Sequence, residues 1–175
     1  MGVSDILKSA GFKQEKSTEG DKPVLKGVYK ALFVEGKLGE ANQYGHSYIA
    51  KFKVTETLSG KDSHSAFPEF AGFYDIAEKA ADKKKGIAKL LNGFFSVGLN
   101  VDSSTDEALY ESLDSLKGSA EVFIKGFEKK PRKQDSEGNW VDNPEGVIKQ
   151  DFSFMTEANA KKEADKQAKK NGHPL

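Results

Sequence analysis

The chain contains no cysteine, which excludes disulfides, thiolate zinc sites, iron–sulfur clusters and cysteine nucleophiles. It is almost without arginine: Arg132 is the single one among 27 basic residues. Forked, bidentate recognition of guanine or phosphate is an arginine speciality, so sequence-specific base reading is not expected. It has no net charge either, with 27 acidic residues against 27 basic. The whole-molecule field of a strongly basic nucleic-acid binder is therefore missing. No apolar run approaches the roughly 20 residues that cross a bilayer, and Met1–Lys22 lacks the apolar core of a signal peptide. A soluble intracellular protein with no membrane partner is the expectation.

Catalytic signatures are also absent. His46, His64 and His173 lie far apart, and none stands at metal-ligand spacing from another. There is no Walker loop, nucleophile elbow or dinucleotide fingerprint. Asp102, Asp106 and Glu107 form an acidic group, but acids at a helix N-terminus are favoured by the helix dipole alone. The reading is a non-enzyme with no catalytic residue, no metal and no cofactor.

At 175 residues the chain is long enough for one domain with appendages. Residues 1–22 read as a short helix, with Ser4 as N-cap and Gly11 as stop, followed by a mobile linker from Lys13 to Lys22. Residues 23–156 read as the domain. Residues 157–175 read as a charged helical tail whose only apolar side chains in the helix are alanines. A solvated tail is favoured there over a docked helix.

Within the domain, Val24–Glu35 is rich in β-branched and aromatic residues and reads as a strand. His46–Glu56 alternates, with Tyr48, Ala50, Phe52 and Val54 on one face and Ile49, Lys51, Lys53 and Thr55 on the other. Leu58–Lys61 reads as a turn, and Ala66–Tyr74 as a third strand, edged or bulged at Pro68. Helical spacing then appears in Asp75–Phe95, interrupted at Gly86. It returns after Ser104, where Ser104 and Glu107 have capping-box spacing; Leu109, Leu113 and Leu116 share a stripe that ends at Gly118. Strand four follows at Ser119–Lys130, a polar connection at Pro131–Gly146, and strand five at Val147–Met155. Three strands, a helical insertion and two strands give the element order of a five-stranded OB-fold Greek-key barrel, mainly β with helices between strands three and four.

The zero charge is a compensation between segments. Pro23–Val101 sums to +3 and Leu116–Lys133 to +4, against −5 for Asp102–Ser115 and −4 for Gln134–Thr156. Binding of single-stranded nucleic acid needs lysines along the phosphates and aromatic faces for the bases. Lys51 and Lys53 sit opposite the core face of strand two. Phe123, Lys125, Phe127 and Lys129 alternate along one face of strand four. In OB-folds the loops after strands one and four flank the cleft. Here those loops hold Lys37 and Tyr44 on one side, and Lys129, Lys130, Arg132, Lys133 and Trp140 on the other. These are the candidate single-stranded DNA contacts. The competing reading buries strand four on both faces, with its lysines reaching out to solvent, and leaves Trp140 to fold its loop back on the barrel.

The sequence resembles the bacteriophage single-stranded DNA-binding proteins of OB-fold type. The resemblance is carried by Pro23-Val24-Leu25-Lys26-Gly27-Val28-Tyr29, Tyr48–Val54, Ile87-Ala88-Lys89-Leu90-Leu91, and Leu116-Lys117-Gly118 before Ala120–Ile124. It implies sequence-tolerant coating of single strands in phage DNA replication or recombination, in the cytoplasm of the infected host. It also implies phage replication proteins as further partners, with a homo-oligomer allowed. One departure is the end of the chain: many such proteins finish in an acidic tail, whereas this one finishes Lys169-Lys170-Asn171-Gly172-His173-Pro174-Leu175. The alternative reading is a phage structural or assembly protein that uses the barrel for protein contacts. A metal-dependent nuclease rests only on scattered acids.

Overall fold

The computed structural model describes residues 2–16, 27–40, 46–60, 69–76, 79–146 and 149–170. In chain order the elements are α1 (Val3–Ser9), β1 (Gly27–Leu38), β2 (Ser47–Gly60), β3 (Glu69–Asp75), α2 (Ile87–Phe95), α3 (Asp106–Leu116), β4 (Glu121–Lys129), β5 (Arg132–Gln134), β6 (Trp140–Asp142), β7 (Lys149–Met155) and α4 (Glu157–Lys170). This is a mixed α+β protein. Five strands form one antiparallel sheet in the order β3-β2-β1-β4-β7, and β5 and β6 make a separate two-stranded hairpin.

The sheet curls into a half-barrel. Register shifts between Val28 and Tyr29, Lys30 and Ala31, and Phe33 and Glu35 bend β1 along its length, as extra unpaired residues do in a ladder. The sheet's two edges then face each other: Phe70 of β3 meets Phe152 of β7 edge-on, ring centroids 4.5 Å apart. Alternation drives the packing. Tyr29, Ala31 and Phe33, then Phe52 and Val54, then Val122 and Ile124, turn inward to one core. Helix α2 fills the concavity, with Phe94 stacked 5.2 Å from Phe33. Gly93 lets it approach so closely that a Cβ there would overlap the Phe154 ring.

Several sequence expectations are corrected. The N-terminal segment is docked, not appended: Val3 and Leu7 join the main core, and Gly2, not Ser4, caps α1. The Ser4 N–H donates to Asp106 Oδ1 at 2.7 Å. Beyond the helix, Gln14 donates to Asn100 and to the Val101 carbonyl, so residues 13–16 do not read as a free linker; residues 17–22 lie outside the described residues. Helix α3 starts one residue later than the capping box implied, with Thr105 accepting from the Ala108 N–H at 3.0 Å. Strand β2 runs on through Leu58 to Gly60, where a turn was expected.

The largest correction concerns the C-terminal helix. It is not a solvated tail. Helix α4 lies across the outer face of β1, β2 and β4, where Ala160 joins Val28, Phe123 and Met155 in a second apolar cluster. Lys125 of β4 pairs there with Glu163 at 3.4 Å, both side chains being nearly enclosed. The Ser59 hydroxyl donates to Gln167 Oε1 at 2.5 Å.

Candidate nucleic-acid interface

The outer face of the sheet has a covered half and an open half. Under α4 lie Phe123 and Lys125, 8% and 5% exposed. The reading of strand four as an open aromatic-lysine surface is corrected at these two positions: a helix covers them. Lys30 explains part of the Phe123 environment, holding Glu121 at 2.8 Å with its ammonium 5.8 Å from the Phe123 ring centre. Phe127 and Lys129 continue β4 opposite Asp151 and Lys149, and their side chains lie outside the described residues.

The open half is built by the second part of β1, the first part of β2, and β3. The register sets its rows. Lys37 stands opposite Ile49, which stands opposite Phe73; Glu35, Lys51 and Ala71 form the next row; Leu32, Lys53 and Glu69 the third. On β3 the pattern alternates strictly, with Phe70, Gly72 and Tyr74 inward and Glu69, Ala71 and Phe73 outward. Phe73 is 66% exposed, whereas Leu38 at the end of β1 pairs with the buried Tyr48 and belongs to the opposite face. Lys37, Lys51 and Lys53 are exposed on the same face as Phe73. Lys51 reaches Glu35 at 3.5 Å. One face thus carries three sequence-identified lysines, from two strands, with Glu35 and Glu69 opposite two of them, and an exposed aromatic residue that the sequence reading missed. Its signal was present: Phe73 occupies the off-phase position of Phe70, Gly72 and Tyr74. Tyr44 lies outside the described residues.

The remaining candidates sit on the β5–β6 hairpin. Arg132 pairs across from Asp142, Lys133 from Val141, and Gln134 from Trp140. The Asp135 carboxylate accepts the N–H groups of Glu137 and Asn139, Gly138 takes a left-handed φ of 83°, and the Arg132 guanidinium donates to the Trp140 carbonyl at 2.8 Å. The turn is thus defined by its own residues. Trp140 projects at 59% exposure and does not fold back on the barrel. The hairpin is electrically divided. Lys130, Arg132 and Lys133 are exposed at its stem, whereas Gln134–Gly146 carries four acids and no base.

The acidic group at α3 has a structural role. Asp102 accepts the Ser104 N–H at 3.0 Å, and that hydroxyl and amide hold its carboxyl below the usual carboxylate range. Asp106 caps the first turn of α1, and the Ser4 backbone N–H lowers its pKa in the same way. Among the described residues no group of three or more His, Asp or Glu converges as a metal site would require, and no helix is long and apolar enough to cross a membrane. No protein-family model and no curated protein matches this chain.

Proposed function

We propose that the protein is a non-enzymatic, sequence-tolerant single-stranded DNA-binding protein built on an OB-fold. The carrying observation is the exposed Phe73 ring on the same open outer face of β1, β2 and β3 as Lys37, Lys51 and Lys53. In an OB-fold that is the oligonucleotide face, and the order β3-β2-β1-β4-β7 is compatible with that fold's barrel opened between its third and last strands. Stacking on Phe73 supplies a base contact without reading sequence, and lysine ammoniums follow phosphates as point charges. Lys130, Arg132 and Lys133 at the hairpin stem add further phosphate contacts. A role in phage replication or recombination is supported by the Pro23–Tyr29, Tyr48–Val54 and Ile87–Leu91 segments.

The test is fluorescence anisotropy with a labelled oligo-dT at low salt, beside duplex DNA and RNA of equal length. Saturable binding of the single strand, falling steeply with salt, is expected. A chain that leaves all three probes free at low salt would overturn the reading. A second reading, a protein-docking face used in phage assembly, draws on the same exposed Phe73 with Ile49 beside it. It predicts association without any nucleic acid.

A further inference from the structure

Helix α4 follows β7 after a single residue, Thr156, whose hydroxyl accepts the Asn159 N–H at 3.2 Å. That cap and the Glu157–Lys161 pair at 3.2 Å are local to the helix, so they persist if it leaves the sheet. Its hold on the sheet is of another kind. The apolar side chains it turns inward are alanines: Ala160 is fully buried, and Ala164 and Ala168 are half-buried. Alanine offers little apolar area, and hydrophobic stabilisation scales with area. The polar contacts add little net. The Lys125–Glu163 pair at 3.4 Å is nearly enclosed, and desolvation offsets much of its attraction. Gln167 Oε1 accepts from Ser59, but Gln167 Nε2 is enclosed with no hydrogen-bond partner among the described residues. An orphaned buried amide is destabilising. An element held in this way is the kind that opens below the free energy of global unfolding.

We infer that α4 is a hinged cover, which swings off the sheet about Thr156 while the half-barrel stays folded, and that a single strand takes the face so uncovered. The ladder defines what lies beneath. Lys125 stands opposite Val28, which stands opposite Ser59, and Phe123 stands opposite Lys30. The next row, Glu121, Leu32, Lys53 and Glu69, already belongs to the open half. The two halves are therefore one continuous surface, and removing α4 joins Phe123 and Lys125 to Phe73, Lys51 and Lys53. A second aromatic ring and a further ammonium are what base stacking and phosphate tracking use. In the closed form the helix shields the apolar patch of Val28, Phe123 and Met155 from water. The strand's part rests on the function proposed above; the opening of α4 does not. A ligand that binds the open form alone shifts the population toward it.

The chain has no cysteine, so one introduced thiol reports on one position. Ala160→Cys places it beneath α4 and Ala50→Cys places it in the main core on β2, both positions being 0% exposed. Thiol labelling of the full-length variants is followed in water and in low urea, with and without saturating oligo-dT. Circular dichroism checks each fold, and amide exchange of the wild type reads the same opening with no substitution. The Ala160→Cys thiol is expected to react faster than that of Ala50→Cys by roughly tenfold or more. Its rate should also depend less on urea, because opening exposes little surface. Oligo-dT should raise the Ala160→Cys rate by a further factor of roughly ten and leave Ala50→Cys no faster. The inference is overturned if the Ala160→Cys thiol reacts no faster than the core one, or if wild-type α4 amides exchange only with those of β1 and β2. It is also overturned by a strand that binds in anisotropy yet does not speed Ala160→Cys labelling. A strand that does not bind at all overturns the function proposed above and the strand's part with it, while labelling without DNA still decides whether α4 opens.

Discussion

Phe73 holds its ring in solvent while its chain neighbours Gly72 and Tyr74 turn into the core. Exposure of this kind separates a binding role from a folding role, because removing the ring forfeits little packing. Base stacking on an aromatic residue is worth about 1–3 kcal/mol. Phe73→Ala should therefore weaken oligo-dT binding by roughly tenfold or more, with an unchanged urea midpoint; equal affinity in an anisotropy titration would remove Phe73 from the site. Its neighbour makes the opposite case. The Tyr74 hydroxyl is buried with no hydrogen-bond partner among the described residues, and burial pushes its pKa well up. An enclosed, unsatisfied hydroxyl costs stability that phenylalanine at the same position does not. Tyr74→Phe should raise stability by about 1 kcal/mol in urea denaturation, while leaving DNA binding alone.

At the scale of elements, the main sheet was legible because alternation is a direct consequence of strand geometry. Tyr48, Ala50, Phe52 and Val54 faced the core as their period required. The C-terminal helix was not legible, since its alanines give no strong amphipathic signal and its anchor is a charge pair formed with a residue 38 positions earlier in sequence. The docking of α1 was hidden for a related reason: seven residues offer too short a window for a periodic signal, and its first-turn Ser4 N–H is held by Asp106 on α3. Both long-range polar anchors can be tested. Glu163→Ala removes this carboxylate from beside the enclosed Lys125, and breaking a buried pair from one side is destabilising. A lower urea midpoint, with faster amide exchange through α4, is expected. For Asp106 the sign follows from its lowered folded-state pKa. Its contribution is fully present above the unfolded value near 4 and is lost as pH falls through the folded value. Amide exchange at Val3 and Ser4 should therefore accelerate below about pH 4. In Asp106→Asn, which has no titrating carboxyl, that added acid sensitivity should disappear.

Across the whole molecule, the zero net charge sets how the proposed DNA binding should depend on salt. Without a long-range basic field, attraction to a strand comes from local lysines alone, and on the open face Lys51 already shares its charge with Glu35. Each phosphate neutralised on a single strand contributes a slope of about −0.7 to the plot of log K against log salt. Three lysines from the open face imply a slope near about −2, and the stem residues Lys130, Arg132 and Lys133 would steepen it to roughly twice that if they engage the same strand. The slope therefore counts which part of the molecule meets the backbone. Lys51→Ala and Lys53→Ala should each flatten it by up to about 0.7, with the smaller change at Lys51 because its partner Glu35 is released. Lys133→Ala should flatten it only if the hairpin lies along the DNA. A wild-type slope near zero would mean that no lysine contacts phosphate, and affinity would then have to come from stacking on Phe73 alone.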